Sequence, residues 1–254
     1  MRPRFSRRHF IVVGLRAIVG LIFAHLAARL GQASPGPRLR ARPGKPKQRT
    51  TPGRHAFGLG GSRDGFLSVP ESYRPERQIP LILMLHGSHM QSANFTKFCE
   101  SAAKESIAVA VPESRGLTWD GVRGVFGPDI EFLDRVLASV FDRLAVDQRR
   151  LAIAGFSDGA SYSLSVGLSN GDLFSHVIAY SPEFLNAPTR YGKPPIFITH
   201  GARDPVLSVN STERVVRGLQ SSGYQVEFKE FSGGHFMPAD LVKESFRWFL
   251  GGRG

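Results

Sequence analysis

Ser157, Asp204 and His235 are the three residue types that together turn a hydroxyl into a nucleophile. A serine hydroxyl attacks poorly at neutral pH. An imidazole that takes its proton during attack removes that obstacle, and a carboxylate holds the imidazole in the right tautomer and stabilises its positive form. Ser157 stands in Gly155-Phe156-Ser157-Asp158-Gly159, a G-x-S-x-G pattern directly after the apolar run 151–154. That pattern marks a sharp strand-to-helix turn with the hydroxyl exposed at its tip. Glycines flank the serine because a side chain there collides with the neighbouring strand or helix. Asp204 stands in His200-Gly201-Ala202-Arg203-Asp204-Pro205, and His235 ends Ser232-Gly233-Gly234-His235. Asp172 and Glu183 are rival acids, but neither has such a context.

The chemistry is nucleophilic attack on a carbonyl, and it requires donors for the oxyanion that forms. The backbone N–H of Ser88, after His86-Gly87, and that of Asp158 are the candidates. His86 and His200, at the ends of apolar runs, are read as structural histidines hydrogen-bonded near the site. His89, Trp119 and Phe236 are candidates for lining a substrate pocket. The remaining histidines and carboxylates lack metal-ligand spacing, no phosphate-binding loop is present, and neither metal nor cofactor is expected.

These residues need a scaffold that delivers them to one place. Apolar runs at 65–69, 79–85, 107–111, 151–154, 176–180, 195–200 and 224–231 predict short strands. Helical patterns occupy 92–104, 129–144, 158–168, 212–221 and 238–250. The clearest is 129–144, where Ile130, Leu133, Leu137, Val140, Phe141 and Leu144 share one face. Short buried strands separated by helices predict an α/β fold, with a mostly parallel sheet covered by helices on both faces. Function in such sheets collects beyond the carboxyl ends of strands. Ser157, Asp204 and His235 each follow a predicted strand, in the chain order Ser, Asp, His. A Gly-rich loop, 113–127, is the best candidate for a partial cover, and no lid domain is predicted.

With these residues in view, the chain resembles small α/β-hydrolase esterases, in particular the carboxylesterase/phospholipase and polyhydroxybutyrate depolymerase-like (feruloyl esterase-like) groups. The motifs that carry the resemblance are Leu83-Met84-Leu85-His86-Gly87, Ala154 to Ala160, His200 to Pro205 and Gly234-His235, with Ser114-Arg115-Gly116 and Thr118-Trp119-Asp120 similar to a loop of the depolymerase-like group. The resemblance spans about 65–250. It implies hydrolysis of a small or oligomeric carboxylic ester through an acyl-enzyme, without a cofactor. Polymer-degrading secreted members often carry disulfides and extra binding domains, which this sequence lacks. A peptidase of the prolyl-oligopeptidase type and a non-catalytic binding protein on the same fold are the alternatives.

Charge separates the chain into regions. Of its 33 Lys and Arg, 13 fall in residues 1–55, which hold no Asp or Glu; the remaining 20 face 21 acidic residues, so the net charge of +12 belongs to the N-terminal part. Nucleic acid is therefore not an expected partner. Ser6-Arg7-Arg8-His9-Phe10-Ile11 followed by an apolar stretch resembles a twin-arginine export signal, with cleavage expected after Ala33. The expected partners are the twin-arginine export machinery and, through the N-terminal segment alone, the membrane. Export to the periplasm or beyond is the expected destination, with an uncleaved membrane anchor as the alternative. The expected division is a signal segment at 1–33, a disordered basic linker rich in Pro and Gly at 34–55, and a hydrolase domain at 56–254. Cys99 is the single cysteine and is expected to be a buried apolar residue.

Overall fold

The computed structural model describes residues 36–251. Eight strands form one sheet in the order β1-β2-β4-β3-β5-β6-β7-β8. They are β1 (Gly53–Ala56), β2 (Gly65–Val69), β3 (Ile79–Leu85), β4 (Ala108–Pro112), β5 (Val146–Phe156), β6 (His176–Tyr180), β7 (Ile196–Gly201) and β8 (Val226–Phe231). β1 and β2 pair antiparallel, as do β2 and β4; every pair from β4 through β8 is parallel. The helices are α1 (Thr96–Lys104), α2 (Pro128–Arg143), α3 (Asp158–Ser169), α4 (Val209–Ser221) and α5 (Ala239–Phe249). This is the α/β-hydrolase fold, and no large insertion interrupts it among the described residues.

The sequence makes the layers by alternation. Along β3, Leu81, Leu83 and Leu85 join one core, with Ile130, Leu133 and Leu137 of α2 and Leu164 and Leu168 of α3. Ile82 and Met84, between them, join a second core, with Phe98 and Ala102 of α1 and Phe246 and Phe249 of α5. Leu81 through Leu85 are all fully buried, as expected of a strand covered on both faces. Cys99 lies in the second core, and burial pushes its thiol up to about 12.

The structure corrects the sequence reading at the N-terminal side. Part of the expected linker is docked, and the body begins at Gly36 rather than 56. Leu39 is 2% exposed. Its N–H donates to Asn170 Oδ1 at 2.8 Å, while Asn170 Nδ2 donates to Pro37 O at 2.6 Å. Arg40 and Ala41 N–H both donate to Asp134 Oδ1, and Lys47 and Gln48 N–H to Asp142 O. Arg38 grips Asp172 with two hydrogen bonds, 2.7 and 3.0 Å, and Arg42 reaches the same carboxylate at 2.8 Å. Poverty in apolar residues predicted disorder, but one buried leucine and a run of satisfied backbone groups suffice to tie the segment down. The first three residues of β1, Gly53 to His55, also fall in the expected linker.

The expected membrane contact is likewise corrected: among the described residues no helix is long and apolar enough to cross a membrane. The export signal expected at 1–33 and its cleavage point after Ala33 lie outside the described residues.

Candidate active site

Ser157 sits where β5 turns into α3, with φ 57° and ψ −123°. Positive φ on a residue with a Cβ costs on the order of 1–3 kcal/mol and persists only when its surroundings impose it. Here they do: Ser157 N–H donates to Tyr180 O at the end of β6 (2.9 Å), and Ser157 O accepts Ala160 N–H (2.8 Å) as α3 begins.

His235 and Asp204 arrive from the ends of β8 and β7. His235 Nε2 lies 2.9 Å from Ser157 Oγ, and His235 Nδ1 lies 2.6 Å from Asp204 Oδ2. A carboxylate can only accept, so Nδ1 carries the proton and Nε2 is left as the acceptor for the serine hydroxyl. Asp204 is itself fixed: its Oδ1 accepts the N–H groups of Val206 (2.8 Å) and Leu207 (2.9 Å). Burial by itself favours the protonated acid. The Leu207 N–H, the His235 ring and the Val206 N–H outweigh it and hold the Asp204 carboxyl below its usual range. The three side chains form a serine-hydrolase-type site, with Ser157 only 8% exposed.

Two further rings lie near this chain of bonds, one against it and one at the end of β3. Phe156 packs against His235 with ring centroids 4.8 Å apart. Sequence reading passed over Phe156, because nothing in G-x-S-x-G marks the variable position as a support for the histidine. His86 lies fully buried at the end of β3. Its Nε2 accepts Ser114 N–H (3.0 Å), so its Nδ1 carries the proton and donates to Gly87 O (2.7 Å). Burial, chiefly, pushes the His86 pKa down, which keeps that neutral tautomer.

The two backbone donors expected for an oxyanion flank the serine. A Cβ on Gly87 would stand 3.2 Å from Ser157 Cβ, so the 87–88 peptide runs against the nucleophile. Asp158 N–H opens α3, where the first amides of a helix have no intrahelical acceptor. Among the described residues neither Ser88 N–H nor Asp158 N–H donates to another group. Loop 113–127 closes the same side. Thr118 Oγ1 donates to Asp158 Oδ2 (2.6 Å), and His89 N–H donates to Leu117 O (2.8 Å). The loop is braced from beneath, where Asp129 accepts the N–H groups of Arg115 and Asp120. Burial is the main cause that raises Asp129 to about 6.

The expected pocket residues divide. Phe236 is 50% exposed beside His235. His89, at φ 58°, has its Nδ1 2.9 Å from Ser88 Oγ, next to the donor loop. Trp119 is corrected: it has no exposed surface, stacks on Tyr162 at 5.3 Å and donates its Nε1–H to His86 O (2.8 Å). Its indole is a buried prop because both its faces and its one donor find partners in the core. Leu117 and Val125 are the exposed large apolar side chains of that loop, at 59% and 60%. They line a groove of about 490 Å³ with Gly116 and Thr118. A larger groove, about 740 Å³, lies between residues 43–49 and the starts of β3 and β5, at the opposite end of those strands from Ser157, and none of the three triad residues lines it.

Comparison with known proteins agrees with this geometry. A profile of the Phospholipase/Carboxylesterase family matches residues 130–245, which include all three side chains. Feruloyl esterase C of Emericella nidulans is 27% identical over 157 residues, 58% of this chain and 57% of that protein. The chain spans between 57% and 66% of the length of the curated relatives it matches. The Bacillus cereus carboxylesterase superposes with a TM-score of 0.60 at 16% identity, covering 78% of this chain and 98% of that one. The S-formylglutathione hydrolase of Staphylococcus aureus gives 0.62 at 14% identity, covering 82% of this chain and all of that one. At such identities the two structures speak for the fold. The sequence matches relate the chain to the carboxylesterase/phospholipase and feruloyl-esterase-like proteins.

Proposed function

We propose that this relative of the carboxylesterases and feruloyl esterases hydrolyses carboxylic esters through an acyl-enzyme. The observation that carries the reading is the unbroken chain of hydrogen bonds from Ser157 Oγ through His235 to Asp204, 2.9 and 2.6 Å. Ser157 Oγ attacks the ester carbonyl as His235 Nε2 takes its proton. Ser88 N–H and Asp158 N–H receive the oxyanion, each such donor contributing about 2.7–4 kcal/mol to the transition state. The C–O bond breaks and His235 returns the proton to the leaving alcohol. Water then attacks the acyl-serine with His235 again as base, releasing the acid and free Ser157.

Exposed apolar side chains stand on loop 113–127 (Leu117, Val125) and next to His235 (Phe236), which suits an ester with an apolar or aromatic part. A feruloyl ester therefore stands in the test panel with p-nitrophenyl acetate, p-nitrophenyl butyrate and a short polyester oligomer. Ser157→Ala is expected to lose at least a thousandfold in kcat on whichever ester the wild type cleaves best, and to lose fluorophosphonate labelling. A folded Ser157→Ala protein that hydrolyses the panel at the wild-type rate refutes the reading.

A further inference from the structure

The two amides that receive the oxyanion stand on different segments. Ser88 lies just past β3, and Asp158 just past β5. The parallel pairing of β3 with β5 ends at Leu85 and Gly155. Beyond it, among the described residues, no backbone hydrogen bond joins 87–90 to 157–160. The spacing of the two donors is therefore set by close contact and by whatever third element bonds to both segments. Donors serve an oxyanion only when each lies about 2.7–3.1 Å from it, so that spacing bears directly on rate.

Three consecutive residues of loop 113–127 are that element. Leu117 O accepts His89 N–H (2.8 Å), one residue from Ser88. Thr118 Oγ1 donates to Asp158 Oδ2 (2.6 Å). Trp119 Nε1–H donates to His86 O (2.8 Å), and its ring stacks on Tyr162, one turn along α3 from Asp158. The grip on the first segment shows in its backbone: His89 has φ 58°, in a turn closed by Met90 N–H to Gly87 O (3.2 Å) and held from outside by Leu117 O. The loop is itself anchored. Asp129 Oδ2 accepts Asp120 N–H (2.7 Å), Asp120 Oδ2 accepts Asp129 N–H (2.9 Å), and Tyr162 OH donates to Asp120 Oδ1 (2.9 Å).

We infer that residues 117–119 are a clamp that sets the spacing between Ser88 N–H and Asp158 N–H, and that Thr118 is the positioning residue that ties this clamp to the elbow. The inference rests on the ester-hydrolase reading for its consequence, though not for its geometry. Thr118 acts through Asp158. Its hydroxyl pins the side chain of the first residue of α3, while the N–H of that same residue makes no bond to another group among the described residues. The tie is a short hydrogen bond to a carboxylate, a stronger class of bond than one between neutral groups. It is also the one tie to Asp158 itself, and it depends on a single hydroxyl. Removing that hydroxyl leaves the Leu117 and Trp119 ties to the other segment in place, so the two donors are freed relative to each other while the fold keeps its core.

Thr118→Val keeps the shape of the side chain and removes the donor. With p-nitrophenyl butyrate, kcat is expected to fall about tenfold with KM little changed, as for a displacement of about half an ångström. The inhibition constant of butylboronic acid, whose tetrahedral adduct on Ser157 presents an oxygen to both donors, is expected to rise by the same factor, and Thr118→Ser to restore both. Asp158→Ala removes the acceptor but keeps the backbone donor, and serves if Thr118→Val does not fold. In an Asp158→Ala background Thr118→Val is expected to add less than about twofold, because the two act through one bond. Amide exchange at 86–90, which makes no reference to activity, is expected to be faster in Thr118→Val. A folded Thr118→Val protein with wild-type kcat and wild-type boronate affinity overturns the inference. So does a loss of kcat that leaves the boronate affinity unchanged or that persists in Thr118→Ser. Absence of any Ser157-dependent hydrolysis in the wild type instead refutes the ester-hydrolase reading; the exchange result then decides the clamp by itself, and unchanged exchange at 86–90 overturns it.

Discussion

Gly159, the second glycine of the elbow, is where the sequence pattern and the packing meet, and Gly159→Ala is the sharpest single test of both. A Cβ at this position would stand 2.4 Å from Leu85 O, 2.4 Å from His86 O and 2.7 Å from Leu85 C. All three are backbone atoms of the end of β3, and none can rotate away as a side chain could. Real Cβ contacts begin near 3.0 Å, so α3 and the β3 terminus must separate by about 0.6 Å, and overpacking of this kind costs about 1–3 kcal/mol. In a body of this size that corresponds to a fall in Tm of about 2–12 °C. The same displacement moves the Gly87-Ser88 donor loop relative to Ser157. A misplacement of about 1 Å costs about a hundredfold in rate, so a tenfold to hundredfold loss of kcat is expected with a smaller change in KM. The assay is p-nitrophenyl ester hydrolysis beside differential scanning calorimetry. Gly218→Ala is the matched control: it lies in α4 with no atom within 4 Å of the added Cβ, and is expected to raise stability by about 0.5–1 kcal/mol with kcat unchanged. A Gly159→Ala protein with wild-type kcat and wild-type Tm would falsify the claim that helix and strand touch at this residue.

The docked N-terminal segment gives two further expectations. Asn170→Ala strips the partners from Leu39 N–H and Pro37 O; a loss of about 2–3 kcal/mol is expected, with faster amide exchange at 37–41. Because Asn170 caps the end of α3 and Ser157 its start, about 20 Å apart along the helix, kcat should hold, and a collapse of kcat with the segment still protected contradicts this placement. Asp172 is held down at about 2, first by its hydrogen bonds to Arg38 and then by Arg42. A depressed acid stabilises the folded state above its ordinary value of about 4, and that contribution drains away as pH falls from 4 towards 2. The side chain is 39% exposed, so solvent screening leaves about 1 kcal/mol. Urea unfolding should therefore separate wild type from Asp172→Asn by that amount at pH 7 and by progressively less below pH 4; an equal gap at pH 2.5 and pH 7 argues against the ion pair as its source.

Alternation and period carry most of the fold in the sequence itself. Leu81 to Leu85 read as a strand buried on both faces because no polar residue interrupts them, and 129–144 reads as a helix because its apolar residues recur every three or four positions. The triad was legible for a similar reason: the glycines that bracket Ser157 and precede His235 answer to local backbone geometry, and each reactive residue follows an apolar run. Local pattern fails where a residue's role depends on what lies across the molecule. The segment 36–52 looks disordered by composition, since its hydrogen-bond partners Asp134, Asp142 and Asn170 are some ninety or more residues away in sequence. Trp119 looks like a pocket residue on a glycine-rich loop until His86 O and the Tyr162 ring enclose it. Phe156 carries no local mark at all, because supporting a histidine from a neighbouring strand end is a relation across the sheet. The amino-acid order determined which side chains could react and which runs would form strands. The parallel register of β5, β6, β7 and β8 decided that Ser157, Asp204 and His235 meet.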